Sequence, residues 1–290
     1  MTVLIIASNK DPASINIKNC LLKQSQWENI NTFYENKVYK NIKNQNLIII
    51  TINDRKISHD NIDTEVQKNL GLKPKLAIFI SRHTSKTGNP TLTLHPIGNY
   101  GKALFGGRDK KLIQSAPIIM TELLRILKRN ANEKNLYHNV CFEVTHHGPN
   151  ISVPSLFIEV GSTLDEWKKI SPANAVAKSI LELFELSYLD NRSTDIPVLI
   201  GVGGGHYAPR FTDIALDRKV AFGHMIPTYQ INSGVIDELM IEDLIKNTRN
   251  LSGVYIHRKA LKKSQVTEFK KIFKNKGIRI ISSNDLEKIY

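Results

Sequence analysis

The 290-residue chain has only two cysteines, Cys20 and Cys141, too few for a disulfide framework, which fits a reducing compartment. No apolar run reaches the ~18 residues that a membrane span requires. The opening run Val3 to Ala7 is too short for a signal-peptide core, has no basic residues before it and reads as a first strand, so a cytoplasmic location is expected. Several chemical signatures are also missing. The chain has no C-x-x-C or H-E-x-x-H zinc motif, no G-x-S-x-G nucleophile elbow, and neither the Walker A nor the dinucleotide fingerprint. No internal repeat, low-complexity segment or linker divides it, and residues 1–290 read as one domain.

What is present is a basic, globular composition. Hydrophobic residues make up 41% and charged residues 23%, enough to bury a sizeable core. The formal net charge of +13 favours a polyanionic partner, nucleic acid or a phosphorylated ligand. Strand-like runs alternate with helical ones, which predicts an α/β fold: a mixed, mainly parallel sheet with helices on both faces. LIIITI at Leu47 to Ile52 has the pattern of a strand covered on both sides. A hairpin is expected around Glu35-Asn36-Lys37, helices over Ser115–Ala131, Pro172–Ser187, Gly234–Asn247 and Ser264–Lys274, the last of them basic, and a final strand at Ile278–Ile281.

Four predicted strands end in histidine. Leu76–Ile80 leads to His83, Cys141–Thr145 to His146 and His147, Val198–Val202 to Gly203, Gly204, Gly205 and His206, and Val220–Phe222 to Gly223 and His224. Ligands of open α/β sheets bind beyond the carboxyl ends of strands, so these histidines are expected to share one cleft. Glu143 and Glu159 sit inside apolar strands, where a carboxylate must be paired, hydrogen-bonded or metal-bound. Alternation places Cys141, Glu143 and Thr145 on one strand face. With His83, His95 and the other imidazoles, Glu143, Glu159 or Asp213 would make a mixed nitrogen and oxygen shell for zinc. By elimination the matching chemistry is attack of water on an ester or amide, with histidine or glutamate as base and backbone N–H groups on the oxyanion.

SRHTSKTGNPTLTLHPIGN (81–99), THHGP (145–149) with PSLFIEVGS (154–162), GGGHYAP (203–209) and GHMIPTY (223–229) together resemble the archaeal-type D-aminoacyl-tRNA deacylase family. The resemblance implies a monomeric hydrolase of the phosphorylase and peptidyl-tRNA hydrolase type of fold, with no further protein partner. It would bind zinc and cleave the ester of D-aminoacyl-tRNA, with glycine on the wrong tRNA as a further candidate substrate. The family's motif histidines fall on His83, His95, His146, His147 and His206. Zinc is then expected among His95, His146 and His206, and His147 or Glu143 is expected to activate water. The glycine-rich loops (Gly98, Asn99; Gly203, Gly204, Gly205), with His83, Lys102, Arg108 and Arg210, are expected to receive the tRNA 3′ end. Thr228 stands where the family pattern has lysine. A zinc peptidase or amidase and a non-catalytic RNA-binding protein are the alternatives.

Overall fold

The computed structural model describes residues 2–185 and 196–289. The first strand, β1 (Thr2–Ser8), leads into α1 (Pro12–Gln24), where the Asp11 carboxylate accepts a hydrogen bond from the Ser14 N–H (3.0 Å) and Pro12 opens the first turn. The hairpin β2 (Trp27–Phe33) and β3 (Asn36–Asn41) turns at Tyr34 and Glu35, close to its expected place. Next come β4 (Leu47–Ile52), α2 (Ile62–Leu70), β5 (Pro74–Arg82), β6 (Thr91–His95) and a small ribbon of β7 (Gly98–Asn99) with β8 (Lys111–Leu112). Then follow α3 (Pro117–Glu133), β9 (Asn139–Phe142), β10 (Ser155–Gly161), α4 (Leu164–Lys168) and α5 (Ile170–Glu185). The helix expected over Pro172–Ser187 matches α5 as far as it is described; its last two residues lie outside the described ones.

Eight strands form one sheet in the order β2-β3-β4-β1-β5-β10-β6-β9, parallel at its centre, with antiparallel pairings at β2-β3, β3-β4 and β6-β10. Alternation along β1 divides the core. Val3, Ile5 and Ala7 pack with α1, α3 and α5, while Leu4 and Ile6 pack with Ile62 and Val66 of α2. Each such fully buried aliphatic side chain contributes about 1.5–3 kcal/mol, so the sandwich of helices and sheet supplies the bulk of the stability.

The remaining strands do not extend this sheet. The elements β11 (Val198–Val202), α6 (Pro209–Asp217), β12 (Ala221–Ile226), α7 (Thr228–Asn232), α8 (Glu238–Asn247), β13 (Leu251–Ile256) and α9 (Lys263–Asn275) build a second, three-stranded parallel sheet ordered β12-β11-β13. Periodicity locates strands but carries no information about which strands pair, so sequence alone leaves the split into two sheets unseen. Leu199, Phe222 and Tyr255 join the α1, α3 and α5 cluster, so apolar packing runs from one sheet into the other.

Three local expectations need correction. Ile278–Ile281 is not a strand; it makes an isolated bridge at Val254↔Ile280, because the adjoining Gly277 turn leaves no length for a ladder. The Gly234–Asn247 helix begins only at Glu238, where Asp237 caps it through the Met240 N–H. The Cys141–Thr145 strand stops at Phe142; Glu143 still donates its N–H to Leu94 O of β6, and beyond it the backbone turns to the small sheet.

Candidate active site

Past β9 the backbone crosses from the large sheet to the small one. Glu143 N–H bonds to Leu94 O of β6 (2.8 Å), Val144 N–H to His206 O (2.9 Å), and Thr145 N–H to Met225 O of β12 (3.1 Å). The stitching brings the carboxyl ends of β6 and β9 against the small sheet, while β5, which runs the opposite way, sends His83 in beside Glu159 of β10. At that junction His83, His95, His146, His147 and His206 converge with Glu143 and Glu159. The expected convergence is therefore present, with five of the six predicted imidazoles in it.

Glu143 is fully buried and sits at the centre. Its Oε1 lies 3.0 Å from His83 Nδ1, and its Oε2 lies 3.0 Å from His206 Nε2 and 3.4 Å from His146 Nε2. Neither oxygen has a hydrogen bond of good geometry. Glu159 approaches His83 Nδ1 at 3.4 Å and His95 Nε2 at 3.9 Å. Burial pushes Glu143 up, but His206, His83 and His95 outweigh it and hold the carboxyl below its usual range. Glu159 is lowered in the same way: burial is overcome by His83 and His95. For His83, burial works downward and loses to Glu159 and Glu143, so its pKa is raised.

His146 and His147 are held neutral. Burial, then His95, His147 and His206, pulls His146 well below its ordinary value, and burial with His95 takes His147 to about 4. His146 Nδ1 meets Val144 O (2.8 Å) and His147 Nδ1 meets Gly148 O (2.7 Å). A carbonyl only accepts, so each Nδ1 carries the proton and each Nε2 keeps its lone pair. His147 also has φ +44, a left-handed backbone costing of order 1–3 kcal/mol for a non-glycine residue.

Three overlapping donor sets have ligand atoms within 4.8 Å of one another: His95, His146 and His147; Glu143, His146 and His206; His83, Glu143 and Glu159. A four-coordinate transition-metal ion with bonds of ~2.0–2.1 Å keeps its ligands ~3.3 Å apart. The spacings around Glu143 match that edge, and its orphaned oxygens and the orphaned His95 Nε2 are groups a cation would satisfy. The residues present therefore fit a metal ion.

Other predicted residues fall elsewhere. His224 is an internal residue of β12. Its Nε2 donates to Ile113 O (2.9 Å), and its Nδ1 accepts from Thr145 Oγ1 (3.1 Å), whose oxygen in turn accepts the Met225 N–H (3.0 Å). Both nitrogens are spent, which makes it a strut outside the cleft. Asp213 is exposed on α6 and belongs to none of the three donor sets. Asn99 is committed to its own loop, donating to Gly106 O (2.9 Å) and Arg108 O (3.3 Å) beside Gly98. That loop abuts the His147 turn: Gly98 N–H bonds to His147 O (2.9 Å) and Gly148 N–H to Phe105 O (3.2 Å). A Cβ on Gly148 would lie 2.2 Å from Gly107 N, so only glycine permits the approach. Lys102 and Arg108 are exposed on the same loop, as are Leu104 and Phe105. Gly203 and Gly204 form the turn before His206, anchored by Thr228, whose hydroxyl accepts the Gly204 N–H (2.9 Å) and donates to Ala260 O (3.0 Å). The N–H of the exposed Gly205 has no partner among the described residues. Arg210 points away from the cluster, donating to Tyr255 Oη (3.0 Å) and Ser283 Oγ (3.2 Å).

Two features had no sequence signal. Tyr207 places its hydroxyl 3.0 Å from His83 Nε2, completing a carboxylate, imidazole and phenol chain. Asp11, 70 positions before Ser81, accepts from Lys56 Nζ (2.7 Å), Ser81 Oγ (3.2 Å) and the Arg82 N–H (2.9 Å), fixing the strand end that carries His83.

Comparison with known proteins places these residues in a wider set. Residues 70–281 match the family model described as D-aminoacyl-tRNA deacylase. Proteins named D-aminoacyl-tRNA deacylase from Pyrococcus horikoshii and Methanosarcina mazei are 37% and 34% identical to the chain. The first match covers 87% of this chain and 89% of the relative, the second 99% and 94%. A crystal structure described as a conserved protein of unknown function, AF0625, superposes with a TM-score of 0.87 at 30% identity, covering 99% of this chain and 98% of that one.

Proposed function

The chain belongs to the D-aminoacyl-tRNA deacylase family, and on that premise we propose that it hydrolyses the ester joining a D-amino acid to the 3′-terminal ribose of tRNA, releasing both. The observation that carries the chemistry is the convergence of two buried carboxylates and five imidazoles where the large sheet meets the small one.

Glu143, His146 and His206 would hold a zinc ion, which when bound supplies a Lewis acid beside the scissile ester and lowers the pKa of water. This set replaces His95, His146 and His206, because His95 groups with His146 and His147 and not with His206. Glu143 is accordingly an anchor for imidazoles more than a base. His147 Nε2, unprotonated at neutral pH, orients the attacking water and takes its proton. The unpaired Gly205 N–H is the donor available to the developing oxyanion. His83, braced by Glu143, Glu159 and Tyr207, holds the opposite wall.

The loop at 98–108 receives the terminal nucleotide. Its exposed Phe105 and Leu104 offer an apolar face for a base, with Lys102 and Arg108 near the phosphate. The chain would act as a monomer of one domain, and a tRNA substrate supports a cytoplasmic location. Among the described residues no helix is long and apolar enough to cross a membrane.

The test is release of tyrosine from D-tyrosyl-tRNA and L-tyrosyl-tRNA by the zinc-loaded protein. Rapid release from the D-form alone is expected; equal release from both, or from neither, would overturn the reading.

A further inference from the structure

The expected basic helix is real, and it lines a feature separate from the histidine cluster. At the carboxyl end of β13 a cavity of about 420 Å³ is bordered by Arg210, Tyr255, His257, Arg258, Lys259, Lys270 and Ser283. Two adjoining hollows share Lys270 and extend the feature along α9. One adds Lys263, the other Lys274 and Arg279. Together they make a groove at the carboxyl end of the small parallel sheet, where open α/β sheets place their ligands.

Its charge is uncompensated. Among the described residues no carboxylate lies within 4.0 Å of Arg258, Lys259, Lys263, Lys270, Lys274 or Arg279, while the neighbouring Lys276 pairs with Glu238 and Glu242. Asp285, the acidic residue on the cavity wall, is engaged by the Ser282 N–H (2.8 Å) and hydroxyl (2.7 Å). The buried Nδ1 of His257 has no partner, and a Cβ on Gly204 would lie 3.5 Å from it. The groove therefore begins against the glycine turn that carries His206. A line of unpaired cations opening on that turn suits a run of phosphodiesters more than a single anion.

We infer that this groove binds the sugar-phosphate backbone of the substrate's tRNA body, with Lys259 and Lys270 on phosphates, while the 3′ end reaches the histidine cluster. The inference rests on the proposed function. It adds a second contact region, set apart from the bond cleaved, which raises affinity without touching the chemistry.

The experiment compares Lys259→Ala/Lys270→Ala with wild type in two assays. In the first, uncharged tRNA is titrated by fluorescence anisotropy across a salt series. The double variant should bind roughly tenfold more weakly and its log–log salt slope should fall by about 2, one per phosphate contact. Lys178→Ala, on the far helix face, should leave both unchanged. In the second, kcat/KM is measured for D-tyrosyl-tRNA and for 3′-D-tyrosyl-adenosine, which has no RNA body. The ratio of the two should drop about tenfold, through KM. An unchanged salt slope overturns the groove, as does an equal loss on both substrates. Because uncharged tRNA binding needs no hydrolysis, failure of the groove and failure of the deacylase reading are distinguishable.

Discussion

His146 in the cluster, partly exposed, and His224 in β12, fully buried, are imidazoles near the junction of the two sheets, and both have lowered pKa values. They differ in what their nitrogens do. His224 donates from one and accepts at the other, so it is a finished part of the fold. His146 spends only Nδ1, on Val144 O, and keeps Nε2 free against the Glu143 carboxylate. Leaving polar groups unsatisfied in a buried place costs stability, whereas satisfying them yields a rigid strut. The two regions thus separate fold from chemistry using one residue type, and substitutions at each should divide along the same line.

The sharpest break would come from Glu143→Gln, which keeps shape and removes the charge shared by three imidazoles. Hydrolysis of D-tyrosyl-tRNA should fall by roughly 10³-fold, as for loss of a central electrostatic group, with an unchanged or higher melting temperature. His147→Ala should lower kcat by about 10²-fold with folding intact. Its acidic limb is a further check. A base with a pKa of about 4 stays active as pH drops below 6.5, so wild-type kcat should decline only as pH approaches 4. A decline centred near 6.5 would move the role to another imidazole.

His224→Ala should do the opposite. Losing two hydrogen bonds and filling volume costs about 2–4 kcal/mol, a fall of roughly 5–10 °C in melting temperature, while kcat stays within about threefold. The same contrast can be read by pH. Burial holds His224 at about 4 against its ordinary 6.5, so the unfolded chain binds the proton more readily. This contribution, about 3 kcal/mol, is fully present above pH 6.5 and is lost as pH falls toward 4. Denaturant melts across that window should be less steeply pH-dependent for His224→Gln than for wild type. The smallest effect is expected from Phe105→Ala at the exposed loop tip, a severalfold rise in KM for D-tyrosyl-tRNA with kcat unchanged.

Much of the site was legible because an apolar run that stops at glycine and histidine fixes both a strand and its reactive end. His206 follows that rule through its glycine turn and His83 follows β5 directly, whereas β9 stops short of His146 and His147. His224 breaks the rule. Gly223 looks like a stop signal, yet it continues β12 because a Cβ there would lie 2.5 Å from Thr248 Cγ2. A glycine kept for close packing and one kept for a turn look alike in sequence. Tyr207 and the Lys56–Asp11 pair were hidden for a different reason, since their partners are far along the chain and only the sheet order brings them together. The alternating elements announced the α/β class, but the division into two sheets depends on pairings that periodicity does not encode.

The place of β1 has a practical outcome. It runs parallel to β5, whose carboxyl end carries His83, and is flanked by β4 and β5. Its amino end therefore emerges from the rim of the sheet opposite His83. An affinity handle or surface tether joined there would leave the His83 end of β5 unobstructed, whereas trimming this strand would split the sheet through its middle.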